Sequence, residues 1–290
     1  PESGNTIPTN AAITAGTIEA TGTGGLFIAN TTIVNSSVDS LSNISDGTVK
    51  VAEGSFIYLE NATILQGFVS IAAGGEMVTI GGTNNTIDTA NGPTHNTTLP
   101  TITNAGTIVV NDNSSLTLAS PYNIENSGTI ELKSTGDKTF LYFNQPFPIL
   151  SGGGNIILDP QAGSQDIIAG VAGQNFTTVH LDNQNNIISG AGAIGQGDAA
   201  LTLQNDAAGI VDADIAGQTL TIDTGSLFTN LGVVEATNGA ALIIDDSVLN
   251  SGKVLATGNS TLTLNGESGN ETVTNYDGCV TGTVQVDSGS

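Results

Sequence analysis

The stretch LGVVEATNGAALIIDDSVLNSGKVLATGNSTLTLNG, residues 231 to 266, contains one short phrase twice. In each copy a glycine (Gly232, Gly252) leads into alternating aliphatics (Val234 and Ala236, Val254 and Ala256). A turn of small residues and a second alternating run follow. The offset between the two runs is constant, Val234 to Leu242 and Val254 to Leu262. Alternation of period two over four to six residues, with Gly, Asn and Asp between the runs, is the signature of a β-strand. A helix would need apolar residues every three or four positions, and no convincing window of that kind occurs.

The same phrase recurs along the chain as GTIEA at Gly16, GTVKV at Gly47, GFVSI at Gly67, GTIVV at Gly106, GTIEL at Gly128, GNIIL at Gly154 and GIVDA at Gly209. A last copy, GTVQV, starts at Gly282, and TTVHL at Thr177 is a variant without the glycine. The second run returns as SLTL from Ser115, ALTL from Ala200 and TLTI from Thr219. Short strands repeated at roughly 20 to 22 residues, about a dozen times, predict an all-β parallel solenoid. One domain, 1–290, is expected, with inserted loops at 81–100 and 140–150 where the phrase lapses. Stacked at ~4.8 Å, about twelve turns make a rod of roughly 60 Å. Ile18, Ala20, Val49, Val51, Ile130 and Leu132 are predicted to face inward. Glu19, Lys50, Ser70, Glu131, His180, Asp212, Glu235 and Gln285 are predicted to face outward.

Composition narrows the function. Twenty-seven acidic residues stand against four lysines (Lys50, Lys133, Lys138, Lys253) and no arginine, a formal net charge of −23. Nucleic acid is therefore an unsuitable partner, and no basic membrane-surface patch is available. Cys279 is the only cysteine, so neither an intramolecular disulfide nor a thiolate zinc site can form. No apolar run reaches the length of a transmembrane helix. The opening at Pro1, without a basic or apolar leader, fits a mature or excised chain.

Asn104, Asn126, Asn230 and Asn250 each stand two residues before a repeat glycine. At such corners their amides can bond to the turns above and below, satisfying backbone groups that a corner leaves unpaired. They are read as structural turn asparagines.

NSGTIEL (126 to 132), the stretch from 231 to 266 and GTVQVDSGS (282 to 290) resemble the repeats of large bacterial surface adhesins of the autotransporter-like and filamentous-haemagglutinin-like kinds. The likeness is strongest over residues 190 to 290. It implies a right-handed β-helix of the pectin-lyase-like type, a secreted or cell-surface location and a structural or adhesive role. No enzyme activity and no cofactor are expected. The repeat-like last residues lead to the expectation that the rod self-associates head to tail.

The same fold type can carry carbohydrate chemistry, so carbohydrate binding or cleavage is the rival reading. A β-elimination lyase needs a base and a cation for the substrate carboxylate, and without arginine the supply of cations is poor. A glycosidase needs two carboxylates at a set separation. Asp212 with Asp214 share one side of a strand, whereas Asp245 and Asp246 point to opposite sides. Asp212, Asp214 and Asp223 are the candidate cation ligands, although plain surface acids explain them as well. Phe140, Tyr142, Phe143 and Phe147 in FLYFNQPFP are the candidate platform for sugar rings, with packing of an irregular coil as the simpler role. His95 reads as a loop residue. Outward Ser115 and Thr117, Thr219 and Thr221, Thr261 and Thr263 would form an ice-binding ladder, but Ala241 and Ile243 interrupt it. Ten Asn-x-Ser/Thr sequons occur, six of them within the first hundred residues (Asn30, Asn35, Asn43, Asn61, Asn84, Asn96).

Overall fold

The computed structural model describes residues 5–6, 16–38, 44–90, 101–161, 163–172, 175–265, 273–277 and 280–287. They form a right-handed parallel β-helix of three sheets with 11, 12 and 10 strands, here faces I, II and III in the order in which each coil visits them. A representative coil runs through Phe228–Asn230 on face I, Val233–Ala236 on face II and Ala241–Ile244 on face III. Coil length varies more than the repeat spacing indicates. Val234 pairs with Val254, twenty residues on, whereas Ile156 pairs with Ile188, thirty-two on.

Alternation determines what fills the rod. On face II the inward row runs Ile57, Met77, Ile108, Ile130, Ile156, Ile188, Val211, Val234 and Val254, all essentially inaccessible. A second row beside it narrows from Leu132 and Leu158 to Ala213, Ala236 and Ala256. Burial alternates with exposure along almost every strand, as in Thr48–Val51 and Val233–Ala236. All the inward residues expected from the sequence are buried.

The repeat phrase does not keep to one face. Thr17–Ala20, Thr48–Val51 and Phe68–Ile71, each following a repeat glycine, lie on face I. From Thr107–Asn111 onward the strand after the glycine lies on face II. The glycine-free variant at Thr177 falls on face I, within Val179–Asn183. The two-strand module of strand, tight turn and strand has therefore advanced by one face. Val49 to Ile57 spans faces I and II, and Val234 to Leu242 spans faces II and III with the same eight-residue offset. The coil of residues 68–88 makes the change by carrying tight turns at two corners, with Gly74 (φ +74°) and Gly82 (φ +78°) in the left-handed region.

Corners decide the fit between coils. A Cβ at Gly128 would meet the Gly106 carbonyl oxygen of the coil beneath, and one at Gly252 would meet that of Gly232, so no larger residue fits. Beside these glycines runs a buried ladder of side-chain amides. Asn104 donates to Asn126 (2.8 Å), Asn183 to Asn205 (2.9 Å), Asn205 to Asn230 (3.0 Å), Asn230 to Asn250 (2.8 Å) and Asn250 to Asn275 (2.6 Å). Most of these amides also donate to a backbone carbonyl at the start of a face II strand, as Asn230 does to Lys253 (3.0 Å). In the coil of residues 149–158 the corner holds Gly152 instead. Asn126 there reaches Asn186, sixty positions on, at 2.9 Å. The ladder begins where the module has moved to face II. In register below Asn104 stand Ile71, Val51 and Ala20.

Of the two expected insertions, much is regular coil. Asn84–Asp88 and Lys138–Phe143 are face III strands paired on both sides, because Ile87, Leu141 and Phe143 continue the inward row. Residues 144–148 leave the sheets, and residues 91–100 lie outside the described set. Two antiparallel hairpins, Ser36–Val38 with Ile44–Asp46 and Tyr276–Asp277 with Val280–Thr281, are the extra elements the repeat did not announce.

Asn205 gives the sharpest test of the ladder. Its amide nitrogen lies 3.0 to 3.1 Å from Asn230 Oδ1 and from the Gly209 and Val233 carbonyl oxygens. Asn205→Ala removes one bond from each of those acceptors and from the Asn183 amide. Asn230 Oδ1, the Gly209 oxygen and the Asn183 amide keep single partners in Gly232, Val233 and Asn186, so the loss should be about 2 kcal/mol in urea unfolding. Asn205→Asp should cost more at neutral pH, since it removes the donors and buries a charge. A loss below about 0.5 kcal/mol for Asn205→Ala would show that the ladder does not hold the corner.

Candidate functional site

The four aromatics of FLYFNQPFP go to three different places. Phe143 is fully buried in the core. Phe140 and Tyr142 point outward from face III, stacked at 5.0 Å with 6° between their planes, against an outer cluster of Ile167, Ala169 and Ala193. Phe147, on the corner between faces III and I, is 71% exposed. They do not form one platform. Inward Leu141 and Phe143 alternate with outward Phe140 and Tyr142, the ordinary consequence of a strand where the sequence suggested a loop.

Phe147 lies flat on the ring of His180, 5.1 Å away with 14° between the planes. His180, outward on face I, is tied through Nδ1 to Thr202 Oγ1 at 2.9 Å. Three rungs beyond Phe147, past His180 and Thr202, Leu227 is 52% exposed at the equivalent corner. Between Phe147 and Leu227 runs a groove of about 540 Å³. Asp182, Gln204 and Thr229 stand in register along its floor on successive rungs. Gln204 donates to Asp206 at 2.8 Å, which fixes its amide. Sequence reading named Phe147 as part of a candidate platform for sugar rings but missed the groove, because Leu227 lies in a corner segment outside the alternation and three rungs away. The repeat offered one signal, the outward position of His180.

Burial and then the neighbouring Asp206 push the Asp182 carboxyl up to about 6. Asp206 lies within hydrogen-bonding reach of Asp182. That is closer than the ~5 Å between the carboxyls of a retaining glycosidase, so the pair lacks room for the sugar carbon.

The other acids are spread over the rod. Asp212 is outward on face II beside Glu235 of the next coil and accepts a bond from Thr237 at 2.9 Å. Burial, opposed by that hydroxyl, raises it to about 6. Burial also raises Asp214 and Glu235. Asp223 follows a face III strand, Thr219–Ile222, so the three candidate cation ligands do not share a face. Among the described residues no three acids, histidines or cysteines gather as a metal site. Asp166 and Asp246 are inward and accept backbone bonds from Ser134 (3.0 Å) and from Thr224 and Gly225 (2.8 and 2.9 Å). Burial pushes Asp166 up to about 6. Asp112, by contrast, accepts three backbone N–H bonds from Thr135, Gly136 and Asp137 and is lowered to about 2.

Outward Ser115 and Thr117 stack on Phe140 and Tyr142, so aromatic residues interrupt the hydroxyl ladder in addition to Ala241 and Ile243. Sequon residues Asn30, Asn61, Asn113 and Asn259 occupy exposed left-handed turns, whereas Asn35 is fully buried. His95 and Cys279 lie outside the described residues. No helix among the described residues is long and apolar enough to cross a membrane. No family model matches the chain, and neither the curated proteins nor the solved structures include a significant match.

The carboxylates set the pH response. Asp166, Asp182 and Asp212 are raised on folding from 3.8 to about 6, so the folded chain binds protons more tightly than the unfolded one. Their contribution is present in full below the unfolded value and is lost as pH rises through about 6. Asp112 acts oppositely, its contribution disappearing as pH falls from about 4 towards 2. The urea midpoint should therefore rise from pH 7 to about 4.5 and fall below that, with Asp166→Asn flattening the upper limb. A midpoint that drops steadily between pH 7 and 5 would contradict these assignments.

Proposed function

We propose that this chain is a non-enzymatic structural and adhesive segment of an extracellular or cell-surface fibre. The observation that carries the reading is the use to which the polar side chains are put. Asn104, Asn126, Asn205, Asn230, Asp166 and Asp246 tie one coil to the next, and the first core row of face II is unbroken from Ile57 to Val254. Outward acids repel neighbouring rods and keep the sides soluble. The exposed groove at Phe147 is the candidate contact surface for the adhesive part.

The last described rung supports growth along the axis. Leu264, Val284 and Val286 occupy core-row positions in register with Ile244, Val254 and Ala256, yet are 38, 41 and 55% exposed. Apolar residues beside open strand edges accept a further parallel rung, whether it comes from more coils of the same protein or from a second copy. In sedimentation, the chain should form concentration-dependent linear oligomers, visible as rods by negative stain. The pair Val284→Lys and Val286→Lys should keep it monomeric. Monomer at every concentration would refute self-assembly by this chain. Antibodies raised against the chain should label intact source cells or their matrix, and labelling only after permeabilisation would refute the location.

A further inference from the structure

We infer that the groove between Phe147 and Leu227 on face I binds an uncharged polysaccharide chain, an assignment that rests on the adhesive reading above and gives it a ligand class. Three observations converge on that class.

The first is an aromatic ring held ready at a cost. Phe147 keeps 71% of its surface in water, though the fold buries Phe143 only four residues earlier. One of its faces is supported, because it lies on His180, which is bonded to Thr202. A flat ring with its other face exposed is suited to stacking on the C–H face of a pyranose.

The second is the floor. Asp182, Gln204 and Thr229 present a carboxylate, an amide and a hydroxyl in register at the ~4.8 Å spacing of parallel strands. That step is comparable with the length of one sugar unit. The row can therefore bond the hydroxyls of successive units while the ring packs against their apolar faces. A sugar chain has this same division between apolar face and hydroxyl edge.

The third is charge. The groove lining holds Asp182 and no lysine, and Asp206 lies beside it. Uronates, sulfated sugars, phosphates and acidic peptides are repelled there. A peptide strand cannot join by sheet extension either, since the strands beneath, Val179–Asn183 and Leu201–Asn205, are paired on both sides.

The test uses neutral oligosaccharides (cellohexaose and maltohexaose) against oligogalacturonate of similar length, titrated into the full chain by calorimetry and by NMR. At least one neutral oligomer should bind and the uronate should not. Phe147→Ala should weaken binding about tenfold, in line with the loss of one stacking contact, with an unchanged urea midpoint because the ring is exposed. Phe27→Ala, which removes a ring from the separate face II stack with Tyr58 (4.6 Å), should leave the affinity unchanged. Preference for the uronate, or loss of binding on Phe27→Ala with Phe147→Ala silent, would overturn the assignment. So would Phe147→Ala abolishing association between copies while no sugar binds, which would make the groove a contact between rods. If no oligomer binds and the rods still form, the groove assignment fails and the structural reading stands.

Discussion

The corner between faces I and II must pair its backbone groups with the coil above or below, because the asparagines that fill it are buried. Strands meet that requirement through their ladders, but a corner has no ladder. The chain meets it with a glycine that lets carbonyl oxygens of adjacent coils approach, and with an asparagine whose amide spans the gap. A corner held in this way repeats at strand spacing, and only then do the inward aliphatics stack in register. Core, exposed faces and groove all follow from that vertical alignment. The coil of residues 149–158 illustrates how strict it is, since Asn186 reaches across to take the missing amide's place.

Much of the fold was legible because alternation and the corner residues are local. Val49, Ile130, Val234 and Val254 declare their inward positions by period alone, and the asparagines two residues before the glycines declare the corner. What period two cannot say is which corner. A module of two strands and a tight turn fits faces I and II as well as it fits II and III. Nothing within GTVKV or GVVEA distinguishes the two settings, and the choice belongs to the coil of residues 68–88 with its two tight turns. The hairpins escaped for a related reason, as excursions that contribute nothing to the repeat.

The outer surface was less legible. Phe140 and Phe143 are three residues apart in one strand, yet one is outside and the other in the core, an outcome that depends on recognising the strand before weighing the aromatics. Phe147 and Leu227 are eighty residues apart, and they bound one groove only because three coil steps carry the chain back to the same corner. Asp182 and Gln204 meet for the same reason, twenty-two residues apart and directly stacked. Solenoid surfaces are assembled from residues one coil-length apart, and coil length here varies from twenty residues to more than thirty. Asn104, Asn126, Asn230 and Asn250 were visible because their spacing is tied to the glycines, whereas Asn183, Asn205 and Asn275 of the same ladder were not. The groove was hidden because its spacing is tied to nothing local.

The central claim is that the repeat module steps by one face between Phe68–Ile71 and Thr107–Asn111. Disulfide trapping addresses it directly, in a Cys279→Ser background. Ser70 is in register with Thr103 on face I, although the repeat phrase makes Val109 its equivalent. Adjacent parallel strands bring such Cα atoms within the ~4.4–6.8 Å a disulfide spans. The account predicts rapid, near-complete oxidation of the Ser70→Cys, Thr103→Cys double variant and no intramolecular bond in Ser70→Cys, Val109→Cys. The reverse result would place both copies of the phrase on one face and contradict the step.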